Sequence, residues 1–219
     1  YHRATPATVW RHYGFDEAQV RAGGYNARMF TSFLDGPKSA IEMAAVANAT
    51  GLVPPNDGLA FPPCRAGQLA TRLIPRADGG VLARRGMVEV VSSLERDGTP
   101  IADDLRWGVF VTFAAASDYV ARCFRDDGGV TDPSGRYASL HRPSHLIGLE
   151  TPVSVLAAGL LGEATGAPRA FTADVVAVAK RDLAAGEILD GEGGFTVVGT
   201  LVPAEHSLRT GALPIGLAH

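Results

Sequence analysis

Thr31-Ser-Phe-Leu-Asp-Gly-Pro-Lys-Ser-Ala-Ile-Glu-Met-Ala-Ala-Val-Ala-Asn-Ala-Thr-Gly51 carries the punctuation from which the fold is read. Arg28 to Leu34 alternates well enough for a strand, Asp35-Gly36 makes a turn, Pro37 suits a first helical position, and Gly51 is a C-terminal stop. The expectation is a strand running into an alanine-rich helix. The few polar residues of that helix are therefore informative: Asp35 and Lys38 at its mouth, Glu42 one turn on, and Asn48 near the far end. At about 3.6 residues per turn Lys38 and Glu42 share a face. That face carries either chemistry or a salt bridge.

The chain has 219 residues, 46% of them hydrophobic, which is enough for one large domain or two small ones. A formal charge of −3 and a pI near 6.1 give no broad electrostatic footprint for nucleic acid or an anionic membrane, and neither partner is expected. No apolar run approaches the roughly 20 residues that span a bilayer. The start at Tyr1-His2-Arg3, with neither a methionine nor a signal peptide's apolar segment, reads as that of a fragment or a trimmed product. Cys64 and Cys123 form no CxxC and do not pair regularly with histidines, which argues against a zinc site or disulfide scaffold and for a reduced, cytoplasmic protein. Only Lys38 and Lys180 among the 20 basic residues are lysines. In so arginine-heavy a chain, a lysine marks either a place where a compact ammonium is wanted, for which Lys38 is the better candidate of the two, or a chance survivor of codon bias.

Outward from the central stretch, Thr8 to Arg21 has the spacing of an amphipathic helix, interrupted near Gly14 and stopped by Gly23-Gly24. Its Trp10, Tyr13 and Phe15 suit packing better than ligand stacking. A proline-rich connection from Val53 to Pro63 is either a lid or a stiff surface excursion. Gly86 to Leu94 and Leu105 to Phe113 read as neighbouring strands, and Ser117 opens a short helix. Tyr137 to Leu146 is the second polar concentration, with His141, Arg142 and His145 at the entrance to an apolar run ending at Leu161, expected as a buried helix bent at Pro152. Two readings stand there side by side. Arg142 and a helix entrance suit a phosphate or carboxylate, or Arg142 simply pairs with Glu150. Beyond a linker at 165–170, strands are expected at Asp174–Lys180 and Phe195–Val198, with Gly191-Glu-Gly-Gly194 as a tight turn. That turn is not a GxGxxG fingerprint. The fold class is α+β: a mixed sheet with helices on one face, then a small β-rich segment.

The segments Thr31–Lys38, Val46–Gly51, Arg142–Leu146, Val176–Leu183 and Leu213–Leu217 together resemble the homoserine-dehydrogenase-like oxidoreductases with a C-terminal SAF domain, a group that includes DXR-like reductoisomerases. The resemblance implies a catalytic, substrate-binding and dimerisation region over 1–168 and a partial SAF-like β region over 169–219. It implies NADP or NAD as cofactor, and the family's N-terminal Rossmann domain, with its GxGxxG, is missing from these residues. An aspartate and a lysine at such a junction bind substrate and transfer protons in related enzymes, which points to Asp35 and Lys38, with Glu42 holding the lysine. Asn48 is a candidate for substrate hydroxyls, and Arg142 and His145 for an anionic group. A reductoisomerase would also need a divalent metal, whose ligands the sequence does not identify. The implied partners are a small molecule and a second copy of the chain. Two other readings stand beside this one: a non-enzymatic SAF-type binding or assembly module, and a lyase using Lys38 as base.

Overall fold

A computed structural model describes residues 2–219. In chain order, helices α1 (Val9–Tyr13), α2 (Glu17–Gly23), α3 (Ala27–Leu34) and α4 (Pro37–Thr50) come first, followed by α5 (Leu69–Arg72). Then come β1 (Val109–Ala114), α6 (Asp118–Asp126), β2 (Val130–Thr131), β3 (Tyr137–Arg142) and α7 (Ile147–Leu156). Strands β4 (Ala173–Ala179) and β5 (Val197–Pro203) and helix α8 (Ala204–Thr210) close the chain. The fold is α+β, as expected. The sheet expected as mixed is antiparallel, in the order β1-β3-β2, and the expected β-rich segment after it contains the antiparallel pair β4-β5.

The chain forms two compact units. One contains the residues up to Leu59 together with Pro168–His219; the other is Ala60–Ala167. A single cut after residue 168 follows the order of the sequence, whereas the packing groups the first four helices with β4 and β5.

In the first unit the segment expected as a strand, Arg28 to Leu34, is helical. The reason is local. Asn26 caps it, its side-chain oxygen accepting the amides of Arg28 at 3.0 Å and Met29 at 3.2 Å. The apolar residues Met29, Phe30, Phe33 and Leu34 also recur at helical rather than alternating spacing. Phe30 then becomes the hub of an aromatic cluster, with ring centroids 5.1 Å from Trp10, 5.2 Å from Tyr13 and 5.0 Å from Tyr25. The aromatics of the first helical stretch are thus packing residues. That stretch itself divides at Gly14 into α1 and α2, the second begun by a capping box between Asp16 and Gln19.

The opening motif is therefore a helix–helix corner. Asp35 ends α3, its amide donating to the Thr31 carbonyl at 2.9 Å, and Gly36, at φ 98°, turns the chain into α4. Pro37 at the first position and Gly51 at φ 80° bound α4 as the sequence indicated. The small residues of α4 let it lie close on the β4-β5 hairpin. A side chain at Gly199 in β5 would put its Cβ 2.9 Å from Pro37 and 3.0 Å from Val175. Asn48 clamps the far end of α4: its oxygen accepts the amides of Thr172 at 2.8 Å and Ala173 at 3.0 Å, and its nitrogen donates to the Ala173 carbonyl at 3.0 Å. Asn48→Ala strands those two amides at the start of β4, and an expected loss of about 2–3 kcal/mol follows, read from urea unfolding. Thr50→Ala on the exposed side of the same turn should stay within about 0.5 kcal/mol; equal effects would show that the clamp is not special.

In the second unit α5 packs on β3, and the buried residues Cys64, Leu69, Leu73 and Leu105 form a core flanked by Leu82, Val91 and Phe110. Burial pushes the Cys64 thiol up to about 11, so it packs as a small hydrophobe. Residues 86–94 are not a strand; they hold isolated bridge positions at Met87, Ser92 and Leu94, the last two pairing with Pro63 and Pro100. The second expected strand is confined to β1, whose start follows Trp107, a residue at φ 70°. The run to Leu161 is helical through α7 and a π-helical turn at Ala157–Leu161, with Pro152 inside it. It is exposed, not buried: Leu149 is 74% and Leu160 77% accessible.

Candidate active site

At the corner between α3 and α4 the Asp35 carboxylate is sealed from solvent, the residue being 1% exposed. Its partner is Lys180, at the end of β4, whose Nζ lies 2.6 Å from Oδ2. The same ammonium donates to the Ala4 carbonyl at 2.8 Å and the Gly194 carbonyl at 2.7 Å, so a counter-charge and two acceptors surround it. Burial raises the Asp35 pKa above the ordinary carboxylate value, while the close ammonium of Lys180 pulls it down. Neither carboxylate oxygen has a partner of hydrogen-bond geometry among the described residues, so Lys180 meets Oδ2 as a close ion pair.

The glycine-rich turn 191–194 serves this pair. Gly193, at φ 68°, brings the turn so close to α3 that a Cβ would stand 2.1 Å from the Arg28 carbonyl oxygen. Gly194 thereby presents its carbonyl to Lys180. Asp190 holds the turn's exit, accepting the amides of Phe195 at 2.7 Å and Thr196 at 2.9 Å, and Arg28 pairs with Asp190 at 3.7 Å.

The expected group of Asp35, Lys38 and Glu42 is thus not assembled. Asp35 belongs to Lys180. Lys38 is half-buried, with its ammonium 5.7 Å from the centroid of the Phe33 ring and no ion pair among the described residues. Glu42 is exposed one turn along and makes no contact with Lys38 of ion-pair length among the described residues. Asn48 spends its amide on β4, as above. Among the described residues Lys38 is therefore the lysine without an ion pair, and Lys180, the weaker candidate of the two in the sequence, is the one that meets Asp35. Its signal was available in the scarcity of lysine.

Arg142 and His145 lie in the other unit. Arg142, at the end of β3, pairs with Glu150 of α7 at 2.6 Å, the plainer of the two readings of that stretch. His145 places Nδ1 2.9 Å from the Trp107 carbonyl, which its own amide also reaches at 2.9 Å. Both residues close the turn from β3 into α7. The second unit also holds a cavity of about 630 Å³ walled by Ala60, Pro62, Pro63 and Val81 and by the charged residues Arg72, Arg76, Glu89, Glu95, Arg96 and Asp97. None of these was a sequence candidate, because the segments that bring them together are irregular.

Among the described residues no three His, Cys, Asp or Glu side chains are grouped so that they could hold a metal ion. No helix among them is long and apolar enough to cross a membrane.

Residues 1–151 match the family described as the oxidoreductase DRL catalytic domain, and the chain belongs to that family. No curated protein matches the chain.

Proposed function

We propose that this chain is the catalytic portion of an NAD(P)H-dependent reductase or reductoisomerase of the homoserine-dehydrogenase-like, SAF-containing type, acting on a small polar carbonyl or hydroxy compound in the cytoplasm. The observation that carries the reading is Lys38: an ammonium without an ion pair among the described residues, at the mouth of α4, in a chain of an oxidoreductase family. Bound nicotinamide would supply hydride to the carbonyl carbon. As the oxygen gains negative charge, Lys38 stabilises it and donates the proton. The buried Asp35–Lys180 pair acts indirectly, by fixing the corner from which α4 starts. Residues 169–219 supply the SAF-like part, and the dinucleotide fingerprint is not among these residues. The test is oxidation of NADH and NADPH by the protein expressed from its entire reading frame, against a panel of hydroxy aldehydes, ketones and their phosphate esters. Turnover with none of them, by a protein that binds neither nucleotide, would return the chain to the binding-module reading.

We also propose a homodimer. Leu149, Val153, Leu156 and Leu160 recur at spacings of four, three and four residues, so they line one side of the exposed helical run as a coiled-coil seam does. Such a stripe exposed on a monomer is a liability unless covered. Its geometry suits an isologous contact with its own copy. Leu149→Glu with Leu156→Glu is expected to convert a dimer to a monomer in sedimentation velocity while leaving the circular dichroism unchanged. A wild-type monomer at ~100 µM, where a contact of ~−8 kcal/mol would be nearly all dimer, removes the proposal.

A further inference from the structure

We infer that the cavity of the second unit is a binding site for a small oxyanion, a carboxylate or phosphate on a compact organic body. It is independent of the redox reading, since it involves neither Lys38 nor a nucleotide. The volume of about 630 Å³ lies within the range of small-molecule sites. Three guanidinium groups line it. Of the five N–H donors that each carries, Arg76 spends one on the Val81 carbonyl at 3.2 Å and Arg96 one on the Ala60 carbonyl at 2.9 Å. Arg72 spends none: its Nε is buried with no partner, and its guanidinium makes no hydrogen bond or ion pair among the described residues.

Three carboxylates share the wall, Glu89, Glu95 and Asp97; none makes an ion pair with these arginines among the described residues, although the charge of Arg96 acts on Glu89. Glu89 turns its oxygens to the backbone, accepting the amides of Val90 at 2.9 Å and Ala60 at 3.1 Å. Asp97 accepts the amide of Thr99 at 2.9 Å, within its own turn. Among the described residues no ion pair joins Arg72, Arg76 or Arg96 to any acid. A half-buried arginine with an orphaned Nε is costly unless something accepts its protons, and a planar or tetrahedral oxyanion takes two at once. The remaining lining, Pro62, Pro63, Val81 and Ala60, gives the ligand's carbon skeleton an apolar wall. The stiff proline connection read from the sequence as a lid or an excursion is therefore one side of this site.

The test titrates the isotopically labelled protein with inorganic phosphate and, separately, with malonate, following the arginine Nε–Hε resonances and the heat of binding. Sodium chloride at matched ionic strength is the control. Saturable binding with the Arg72 Nε–Hε resonance among those shifted is expected. Arg72→Met and Arg96→Met should each weaken it about tenfold or more, and Arg122→Met on α6 should leave it unchanged. Tighter phosphate binding assigns the site to a phosphate ester and tighter malonate binding to a carboxylic acid; either supports the inference. A response no greater than that to chloride overturns it, as does binding that survives both substitutions. Arg96 is exposed, so its variant keeps the test decisive if Arg72→Met fails to fold.

Discussion

Lys180→Met is expected to destabilise the protein by about 3–5 kcal/mol at neutral pH, and by less as the pH is lowered toward 4. The substitution leaves the Asp35 carboxylate sealed in the corner between α3 and α4 with no counter-charge. In the native protein burial already raises the pKa of Asp35, and Lys180 opposes that rise. Without the ammonium the folded-state pKa moves further up. The sign follows from proton counting. The folded variant retains a proton on Asp35 that the unfolded chain releases above about pH 3.9, so the folded state binds more protons and stability falls with rising pH until the folded pKa is passed. Urea unfolding at pH 5 and pH 8 measures the difference directly. Asp35→Asn should be damaging for the converse reason, since it leaves the Lys180 ammonium with neutral acceptors and no counter-charge in a site closed to water. The double variant Asp35→Asn with Lys180→Met should recover much of the loss, a coupling of roughly 1–3 kcal/mol. A Lys180→Met cost below 1 kcal/mol, or one equal at the two pH values, would show that the pair contributes little.

Lys38→Met is expected to lower turnover by about 10²–10⁴-fold while leaving nucleotide affinity and stability nearly unchanged. Its ammonium faces a ring and no carboxylate, so its removal orphans no buried charge, and a stability change within about 0.5 kcal/mol is anticipated. The two lysines thus separate cleanly: one substitution acts on folding, the other on the reaction. Lys38→Arg should not restore the rate, because a guanidinium retains its proton and reaches further. Single-turnover hydride transfer with each variant, alongside its unfolding midpoint, makes the comparison. Turnover within tenfold of wild type would remove Lys38 from the chemistry.

Local signals were sufficient wherever a single residue's conformational preference decides an element. Pro37 and Gly51 bounded α4 correctly because fixed φ at one end and positive φ at the other are properties of the residues themselves. Ser117 opened α6 for a similar reason, its hydroxyl accepting the Val120 amide. Where packing decides, the local reading was misled. Arg28–Leu34 reads as alternating, yet its apolar residues Met29, Phe30, Phe33 and Leu34 have helical spacing, and the Asn26 cap and the gathering of Trp10, Tyr13 and Tyr25 around Phe30 favour a helix. Gly86–Leu94 has the composition of a strand but lies against irregular neighbours and finds only single bridges. Helix α7 reads as buried because its residues are apolar, and apolar residues do not reveal whether anything covers them.

The site divides in the same way. The sequence by itself determined that Asp35, Gly36 and Lys38 sit at the mouth of a helix, that lysine is used only twice, and that the glycines at 191–194 make a turn. Only the tertiary structure decided which lysine Asp35 takes. Lys38 is three residues away and Lys180 lies on another strand, but a carboxylate at the end of α3 points into the interior, where β4 and the glycine turn deliver an ammonium and two carbonyls to satisfy it. Burial makes that choice, because a charge removed from water must find its partner inside, while Lys38, partly solvated, needs none.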